Sequence, residues 1–184
     1  MLRPGLLRVS DGPSAPWRVL FLCTGNSARS QIAEALLNRK GRGRFVAESA
    51  GSQPVDRVNP RAIAVLEAAG LAWGGRAPRG LDAIADQSWD LVITVCDRAK
   101  ESCPIFPGQP VIAHWGMSDP AAVEGDDATM TRAFEDAVAL LGRRIDLLLA
   151  LPVEKVERLK LARQVRAIAE STQTPAAPTT VEPR

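Results

Sequence analysis

Residues 19–30 read Val-Leu-Phe-Leu-Cys-Thr-Gly-Asn-Ser-Ala-Arg-Ser, an apolar run that passes directly into a loop of small residues between Cys23 and Arg29. The apolar run predicts a buried strand at 18–22, and the pattern at 31–40 predicts a helix. A loop between a strand and the start of a helix can turn its backbone N–H groups inward and bind a tetrahedral oxyanion. The same field favours a thiolate, so we expect Cys23 to be ionised and nucleophilic near neutral pH.

Strand and helix patterns alternate along the rest of the chain. Further strands are predicted at 45–48, 90–95 and 110–113, and helices at 59–70, 81–85 and 129–149. This alternation predicts an α/β fold, a four-stranded parallel sheet with right-handed crossovers and helices on both faces, wound as in flavodoxin. Such sheets bind ligands at the carboxyl ends of their strands, which is where Cys23 and Cys96 fall.

The chain divides by composition into four parts. Residues 1–16 are rich in Pro, Gly and Ser and predict a flexible extension, and residues 17–150 form the single predicted domain. Residues 151–170 predict an extra C-terminal helix, which we expect to dock on the domain or on a partner. Residues 171–184 predict a disordered tail. The helix carries a narrow apolar stripe made of Val156, Leu159, Val165 and Ile168.

Bulk composition excludes several classes of function. The 184 residues are 46% hydrophobic, enough for a core, and their net charge of +2 is too small for general nucleic-acid binding. We expect no membrane span, because no apolar stretch approaches about 18–20 residues. Residues 1–16 have no continuous apolar segment, so we expect no signal peptide and a cytoplasmic protein. Three cysteines in that compartment indicate reactive thiols rather than a disulfide framework.

A second cysteine cluster lies at residues 94–104. Cys96 ends the strand predicted at 90–95, and Cys103 follows after six residues in a polar segment. Taken singly, Cys96 could be a core residue and Cys103 an incidental loop thiol. Together with Cys23 they suffice for a relay, in which one thiol attacks, a second attacks the adduct and a third resolves. Zinc is disfavoured, since the chain has no Cys-x-x-Cys and one histidine, His114.

Several sequence blocks resemble one family in particular. They are CTGNSARSQIAE, ESAGS, VNPRAIAVL, DLVITVCDRAKESCP and HWGMSDPA. These blocks lie within residues 17–150 and look like the thioredoxin-coupled arsenate reductases of the low-molecular-weight protein tyrosine phosphatase superfamily. The Cys-x5-Arg loop is shared by all cysteine-dependent phosphatases, whereas the Cys-x6-Cys of Cys96 and Cys103 is more specific. The chain has no tyrosine, and Ala121-Ala122 follow Pro120 where the tyrosine phosphatases have a tyrosine pair.

The resemblance implies roles for individual residues. Arg29 would hold two oxyanion oxygens, Ser30 would hydrogen-bond the Cys23 thiolate, and Asp119 would protonate the departing hydroxide of arsenate. Cys96 would then attack to release arsenite, and Cys103 would leave a Cys96–Cys103 disulfide for thioredoxin or a similar reductant. The oxyanion-binding loop would consist of Thr24, Gly25, Asn26, Ser27, Ala28 and Arg29, with Asn26 also bracing the loop.

Other expectations also follow from the resemblance. Some relatives bind potassium near the loop, and Asn26, Glu34 and Ser49 match three of its ligands, whereas the fourth falls near the cation Arg79. We expect no tightly bound cofactor, no structural metal and a monomer. Two alternatives remain open: a low-molecular-weight phosphatase with residual arsenate activity, and a non-catalytic oxyanion or redox sensor.

Overall fold

The computed structural model describes residues 15–101, 103–153 and 158–172. The flexible extension predicted at 1–16 lies almost wholly outside these residues, as does most of the tail predicted at 171–184. Within the described ranges, no helix combines the length and the apolar character needed to cross a membrane.

Four parallel strands form one sheet, as the alternating pattern predicts. They are β1 (Trp17–Cys23), β2 (Phe45–Gly51), β3 (Leu91–Thr94) and β4 (Val111–His114). Their spatial order is β2-β1-β3-β4, so the chain reverses direction of winding next to β1. This reversal opens a crevice at the carboxyl end of β1, the usual position of a ligand site in such sheets.

Within the part of the chain that the structure describes, five helices connect and cover the strands. They are α1 (Arg29–Lys40), α2 (Pro60–Ala68), α3 (Asp97–Glu101), α4 (Asp127–Ala150) and α5 (Arg158–Ser171). The helix predicted at 81–85 is a single 3-10 turn, Leu81–Ala83, and a second such turn spans Pro120–Ala122. The long helix starts earlier than the predicted 129, because the Asp126 carboxylate accepts a hydrogen bond from Thr129 N at 2.8 Å and caps the first turn.

Burial along the central strands shows that both faces of the sheet are covered. Every residue of β3 is buried, and so is every residue of β1 from Val19 to Cys23. Successive side chains of a strand point to opposite faces, so continuous burial requires cover on both. The prediction of a parallel sheet between helices is confirmed.

The C-terminal helix α5 packs along the edge strand β4. Its buried residues include Val165 and Ile168, as the predicted stripe requires, and also Leu161; Val156 and the Leu159 side chain lie outside the description. Trp115 Nε1 donates to Val165 O at 2.9 Å, and Arg166 Nε donates to Ile112 O at 2.9 Å.

The second of these bonds covers the free edge of the sheet. Val111 N donates to Asp90 O, just before β3, and Trp115 N donates to Thr94 O at its end. Because neighbouring residues of a strand point their backbone groups to opposite sides, those of Ile112 point away from β3. Arg166 therefore pairs with a carbonyl that the sheet itself leaves unpaired.

We expect Leu161→Ala to lower the free energy of unfolding by about 2–5 kcal/mol, because Leu161 is fully buried and its truncation leaves a cavity between α5 and the domain. Urea denaturation measures this. Gln164→Ala, on the exposed side of the same helix, is the control. Equal stability of the two variants would show that α5 does not contribute to the folded domain.

Candidate active site

The loop between β1 and α1 is held from its outer side by backbone hydrogen bonds. Four of its carbonyl groups accept from N–H groups of the segment that follows β2, at 2.8–3.2 Å. The pairs are Ser52 N to Cys23 O, Gln53 N to Thr24 O, Val55 N to Gly25 O and Asn59 N to Ser27 O. Because these carbonyls face outward, the N–H groups of the loop are left to face the cavity, as an oxyanion cradle requires.

Two residue types make this close approach feasible. Asn26 has a φ of 49°, in the left-handed region that asparagine tolerates better than most residues. Gly51, at the end of β2, lies against the loop so closely that a Cβ atom there would come 2.5 Å from Thr24 O and 2.9 Å from Asn26 N. A side chain at position 51 would therefore push the loop away from the sheet.

Cys23 ends β1 at the floor of the loop and is almost fully buried. Its Sγ atom lies 2.9 Å from Ser30 Oγ and accepts a hydrogen bond from Asn26 N at 3.1 Å. Burial raises the pKa of the Cys23 thiol, and the bonds from Ser30 and Asn26 lower it without outweighing burial. Desolvation therefore opposes, in this conformation, the ionisation that the sequence leads us to expect of Cys23.

Arg29 and Asp119 face each other across the mouth of the loop. Arg29 Nη2 donates to Asp119 Oδ2 at 2.6 Å, and Arg29 Nη1 donates to Met117 O at 3.1 Å. Both side chains line a cavity of about 490 Å³ that also contains Cys23. The cavity therefore combines a nucleophile, a guanidinium fork and a carboxyl group, as the sequence predicts, although Arg29 points to Asp119 in this conformation.

Cys96 lies in the same cavity as Cys23. It lies two residues after the end of β3 and directly before α3, and its Sγ atom is 3.3 Å from Thr24 Oγ1. This contact links the second cysteine to the loop that carries the first. The sequence indicated that both thiols meet at one edge of the sheet, and it gave no sign of the Thr24 hydroxyl that joins them.

Cys103 lies apart from the other two thiols. It is half-buried in a second cavity of about 470 Å³, between β4 and α5, whose wall includes His114 and Arg166. Burial raises the pKa of the Cys103 thiol. Cys23 and Cys96 therefore line one cavity, whereas Cys103, which follows α3 in the chain, lines another.

Asn26 faces beneath the loop rather than into the cavity. Its Nδ2 donates to Ser30 Oγ at 2.9 Å and to Ser49 Oγ at 2.8 Å, and the Ser49 hydroxyl donates to Glu34 Oε2 at 2.6 Å. Asn26 is completely buried, and of the loop residues predicted to bind the oxyanion, it alone is missing from the cavity wall. Its side chain is a brace that holds Ser30 in place beside Cys23.

The three residues that match potassium ligands, Asn26, Glu34 and Ser49, thus form one hydrogen-bonded group. Two arginines contact it: Arg76 Nη1 lies 3.2 Å from Glu34 Oε1, and Arg79 donates its backbone N–H to Asn26 Oδ1 at 2.8 Å. Burial raises the pKa of Glu34, against the opposing effect of the nearby arginines. Among the residues described, no cluster of three or more His, Cys, Asp or Glu side chains could hold a metal ion.

Sequence reasoning missed one further support of the loop. Trp73 Nε1 donates to Gln31 Oε1 at 2.8 Å, and Gln31 Nε2 donates to the backbone and side-chain oxygens of Asn26, each at 3.1 Å. Trp73 and Gln31 are 42 positions apart, and no local motif joins them in the sequence.

We expect Ser30→Ala to make Cys23 less reactive, because the Ser30 hydroxyl stabilises the thiolate and its loss raises the Cys23 pKa further. Alkylation by iodoacetamide at neutral pH should slow by about ten- to a hundredfold, the effect of one hydrogen bond to a charged group, and the rate profile should shift to higher pH. The protein used as the starting point for this test carries Cys96→Ser and Cys103→Ser, so that Cys23 is its only cysteine.

Ser118→Ala, an exposed hydroxyl at the rim of the same cavity, is the matched control. A profile for Ser30→Ala that coincides with that of Ser118→Ala would contradict the assignment of Ser30.

Comparisons with known proteins agree with this site. A family model for the low molecular weight phosphotyrosine protein phosphatases matches residues 18–162. An arsenate reductase from Halalkalibacterium halodurans is 35% identical over 127 residues, which are 69% of this chain and 91% of that protein.

Two solved structures are similar throughout the domain. The arsenate reductase from Archaeoglobus fulgidus superimposes with a TM-score of 0.55 at 31% identity, covering 70% of this chain and 98% of its own. A thioredoxin-dependent arsenate reductase from Corynebacterium glutamicum gives a TM-score of 0.52 at 28% identity, covering 73% of this chain and 64% of its own. These matches confirm the resemblance and the expectation of an enzyme, and the chain belongs to the low-molecular-weight phosphotyrosine protein phosphatase family.

Proposed function

We propose that this protein reduces arsenate to arsenite with three cysteines in turn and that thioredoxin restores the thiols. The observation that carries the proposal is the presence of a second thiol, Cys96, in the cavity that holds Cys23 and Arg29. A phosphatase needs only one cysteine in that cavity, whereas a reductase needs a second thiol to take up the adduct. Arsenate reductases among the relatives support this choice of substrate.

In the first step, the Cys23 thiolate attacks arsenic and one As–O bond breaks. Arg29 binds two oxygens of the oxyanion with its guanidinium fork, and Asp119 protonates the departing oxygen, which leaves as water. Because Arg29 and Asp119 are paired at 2.6 Å, this pair opens when the oxyanion binds. Arg29 is then free for the oxygens and Asp119 for the leaving group.

In the second step, Cys96 attacks Cys23 Sγ and the S–As bond breaks with its electron pair on arsenic. Arsenic is thereby reduced from the +5 to the +3 state, arsenite leaves, and the two sulfurs are oxidised to a Cys23–Cys96 disulfide. Cys103 then attacks Cys96 Sγ and releases Cys23 as a thiolate. A thioredoxin dithiol reduces the resulting Cys96–Cys103 disulfide and supplies the two electrons that arsenic has consumed.

The last exchange requires a change of shape. Cys96 and Cys103 lie in different cavities, and a disulfide needs their Cα atoms to approach to about 4.4–6.8 Å. The intervening helix α3 has one buried residue, Ala99, so little packing opposes its unwinding. We therefore propose that the segment 97–102, of which residue 102 lies outside the description, moves between the reduced and oxidised forms. Identical backbone positions in the two forms would contradict this.

Other parts of the proposal concern the setting of the reaction. We infer a monomer in the cytoplasm, where thioredoxin is kept reduced. A monovalent cation at Asn26, Glu34 and Ser49 would share these oxygens with Arg76 and Arg79, and the like charge makes its binding weak. No bound cofactor is required, since thioredoxin delivers the electrons.

A second candidate function, hydrolysis of phosphate monoesters, is favoured by the arrangement of Cys23, Arg29 and Asp119 and by the family itself. This reaction uses water in place of Cys96. The two functions are separated by what happens when Cys103 is removed.

We expect Cys103→Ser to abolish sustained arsenate-dependent oxidation of NADPH in the presence of thioredoxin and thioredoxin reductase. The variant should still release about one equivalent of arsenite, because Cys23 and Cys96 can complete one turnover and stop as a disulfide. Arsenite release and NADPH consumption are measured in parallel. Sustained turnover equal to that of the wild type would remove Cys103 from the relay, and the absence of arsenite release by the wild type would favour the phosphatase.

We expect Asp119→Asn to slow the first attack by about 10²–10⁴-fold, because the amide cannot transfer a proton to the departing oxygen. The rate of adduct formation under single-turnover conditions measures this. Asp127→Asn is the control, since Asp127 is paired with Arg61 on the surface outside the cavity. A rate for Asp119→Asn equal to that of the control would rule out Asp119 as the acid.

A further inference from the structure

His114 contacts Thr94, two residues before Cys96, and Asp97, directly after Cys96. Its Nδ1 atom lies 2.8 Å from Thr94 Oγ1, and its Nε2 atom lies 3.0 Å from Asp97 Oδ1. Thr94 is the last residue of β3, and Asp97, the first residue of α3, follows Cys96 directly. One imidazole on β4 therefore ties together the two ends of the turn that carries the second cysteine.

The protons of this contact are assigned from the chemistry of the partners. An ionised carboxylate only accepts, so Nε2 carries a hydrogen and donates to Asp97, and neutral Nδ1 accepts from the Thr94 hydroxyl. Thr94 is 1% exposed, whereas the Asp97 side chain is 89% exposed. The Thr94 contact is therefore buried, whereas the Asp97 contact faces water and can open at little cost in free energy.

Gly116 leaves the space that this contact needs. A Cβ atom at position 116 would lie 2.5 Å from His114 Nε2 and 3.3 Å from Asp97 Oδ1. The φ angle of Gly116 is outside the left-handed region, so its backbone would accept alanine. What excludes a side chain at this position is the bond between His114 and Asp97.

The bond also lies between the two thiol cavities. Asp97 lines the cavity of Cys23 and Cys96, and His114 lines the cavity of Cys103. Unwinding α3 to bring Cys103 to Cys96 has to separate Asp97 from its position beside β4. In the described conformation the contact between His114 and Asp97 is closed and Cys96 shares a cavity with Cys23. We expect the contact to open when α3 unwinds.

We propose that His114 is a positioning residue. It holds the turn that carries Cys96 while Cys96 attacks Cys23, and it releases Asp97 when Cys103 attacks Cys96. This role rests on the proposed reduction of arsenate by three cysteines. His114 itself exchanges no electrons and touches no substrate; it acts through Thr94 and Asp97 on the direction of Cys96 Sγ.

The test uses Cys103→Ser as the parent, in which the Cys23–Cys96 disulfide is the end point of one turnover. We expect Asp97→Ala and Gly116→Ala to slow formation of this disulfide on the order of ten- to a hundredfold, the usual effect of misplacing a reacting group by about 1 Å. Asp97→Asn keeps an oxygen that accepts from His114 Nε2, so we expect it to retain the parent rate within about threefold. Acid quenching followed by peptide mass spectrometry measures the rate.

A readout on Cys23 separates positioning from general damage. Gly116→Ala should leave the iodoacetamide alkylation rate of Cys23 within about twofold of the parent, because the nearest neighbours of a side chain at position 116 are His114 and Asp97 rather than the loop that carries Cys23. Unchanged disulfide formation in both Asp97→Ala and Gly116→Ala would overturn the proposal. Slowing by Asp97→Asn equal to that by Asp97→Ala would overturn it as well, since charge rather than the bond would then be responsible.

Hydrogen exchange distinguishes a failure of this proposal from a failure of the proposed function. If the parent releases no arsenite, the reductase assignment is wrong, and the role of His114 is decided by the amides of α3 alone. We expect these amides to exchange about tenfold faster in Asp97→Ala than in the wild type, with Asp97→Asn unchanged, because the start of the helix loses its tie to β4. Equal exchange in all three proteins would overturn the positioning role.

Discussion

The backbone of the loop between β1 and α1 is fixed by hydrogen bonds that its carbonyl groups make to the segment after β2. In a planar trans peptide unit the carbonyl and the N–H point in opposite directions. Because the loop carbonyls are paired outward, the loop N–H groups face the cavity. The close approach depends on Gly51, which stands where any Cβ would collide with the loop. The placement of Cys23, Arg29 and Thr24 follows from this pairing, and the contact of Thr24 with Cys96 in turn relates the second cysteine to the first.

Burial of Cys23 has two opposing effects on its reactivity. Burial at the end of a central strand keeps water from competing with the nucleophile, and it also disfavours the thiolate. The hydroxyl of Ser30 and the N–H of Asn26 provide partial compensation. Arg29, a positive charge in the cavity wall, is engaged by Asp119 in this conformation. Opening of that pair would therefore change the charge around Cys23 and the reach of the Arg29 and Asp119 side chains at once.

Local sequence patterns predicted most of the fold, because buried parallel strands are continuous apolar runs and the helices carry clear start signals such as Asn59-Pro60. The Cys23 to Ser30 loop was predictable for the same reason: all of its chemistry lies in one short segment. The pairing of Arg29 with Asp119 spans 90 positions, and the direction of the Cys23 pKa depends on how completely tertiary packing excludes water. The separate position of Cys103 depends on α5 and β4 meeting, which no spacing along the chain reveals.

The position of α5 along β4 has a consequence for self-association. A strand at the edge of a sheet offers unpaired backbone groups to any other strand, including the same strand of another copy. Arg166 satisfies the carbonyl of Ile112 with a side chain, and the half-exposed Ile112 side chain beside it would otherwise add an apolar attraction to that edge. A chain that ended after α4 would expose both the carbonyl and the side chain of Ile112. Strand β4 of one molecule could then pair with a strand of another.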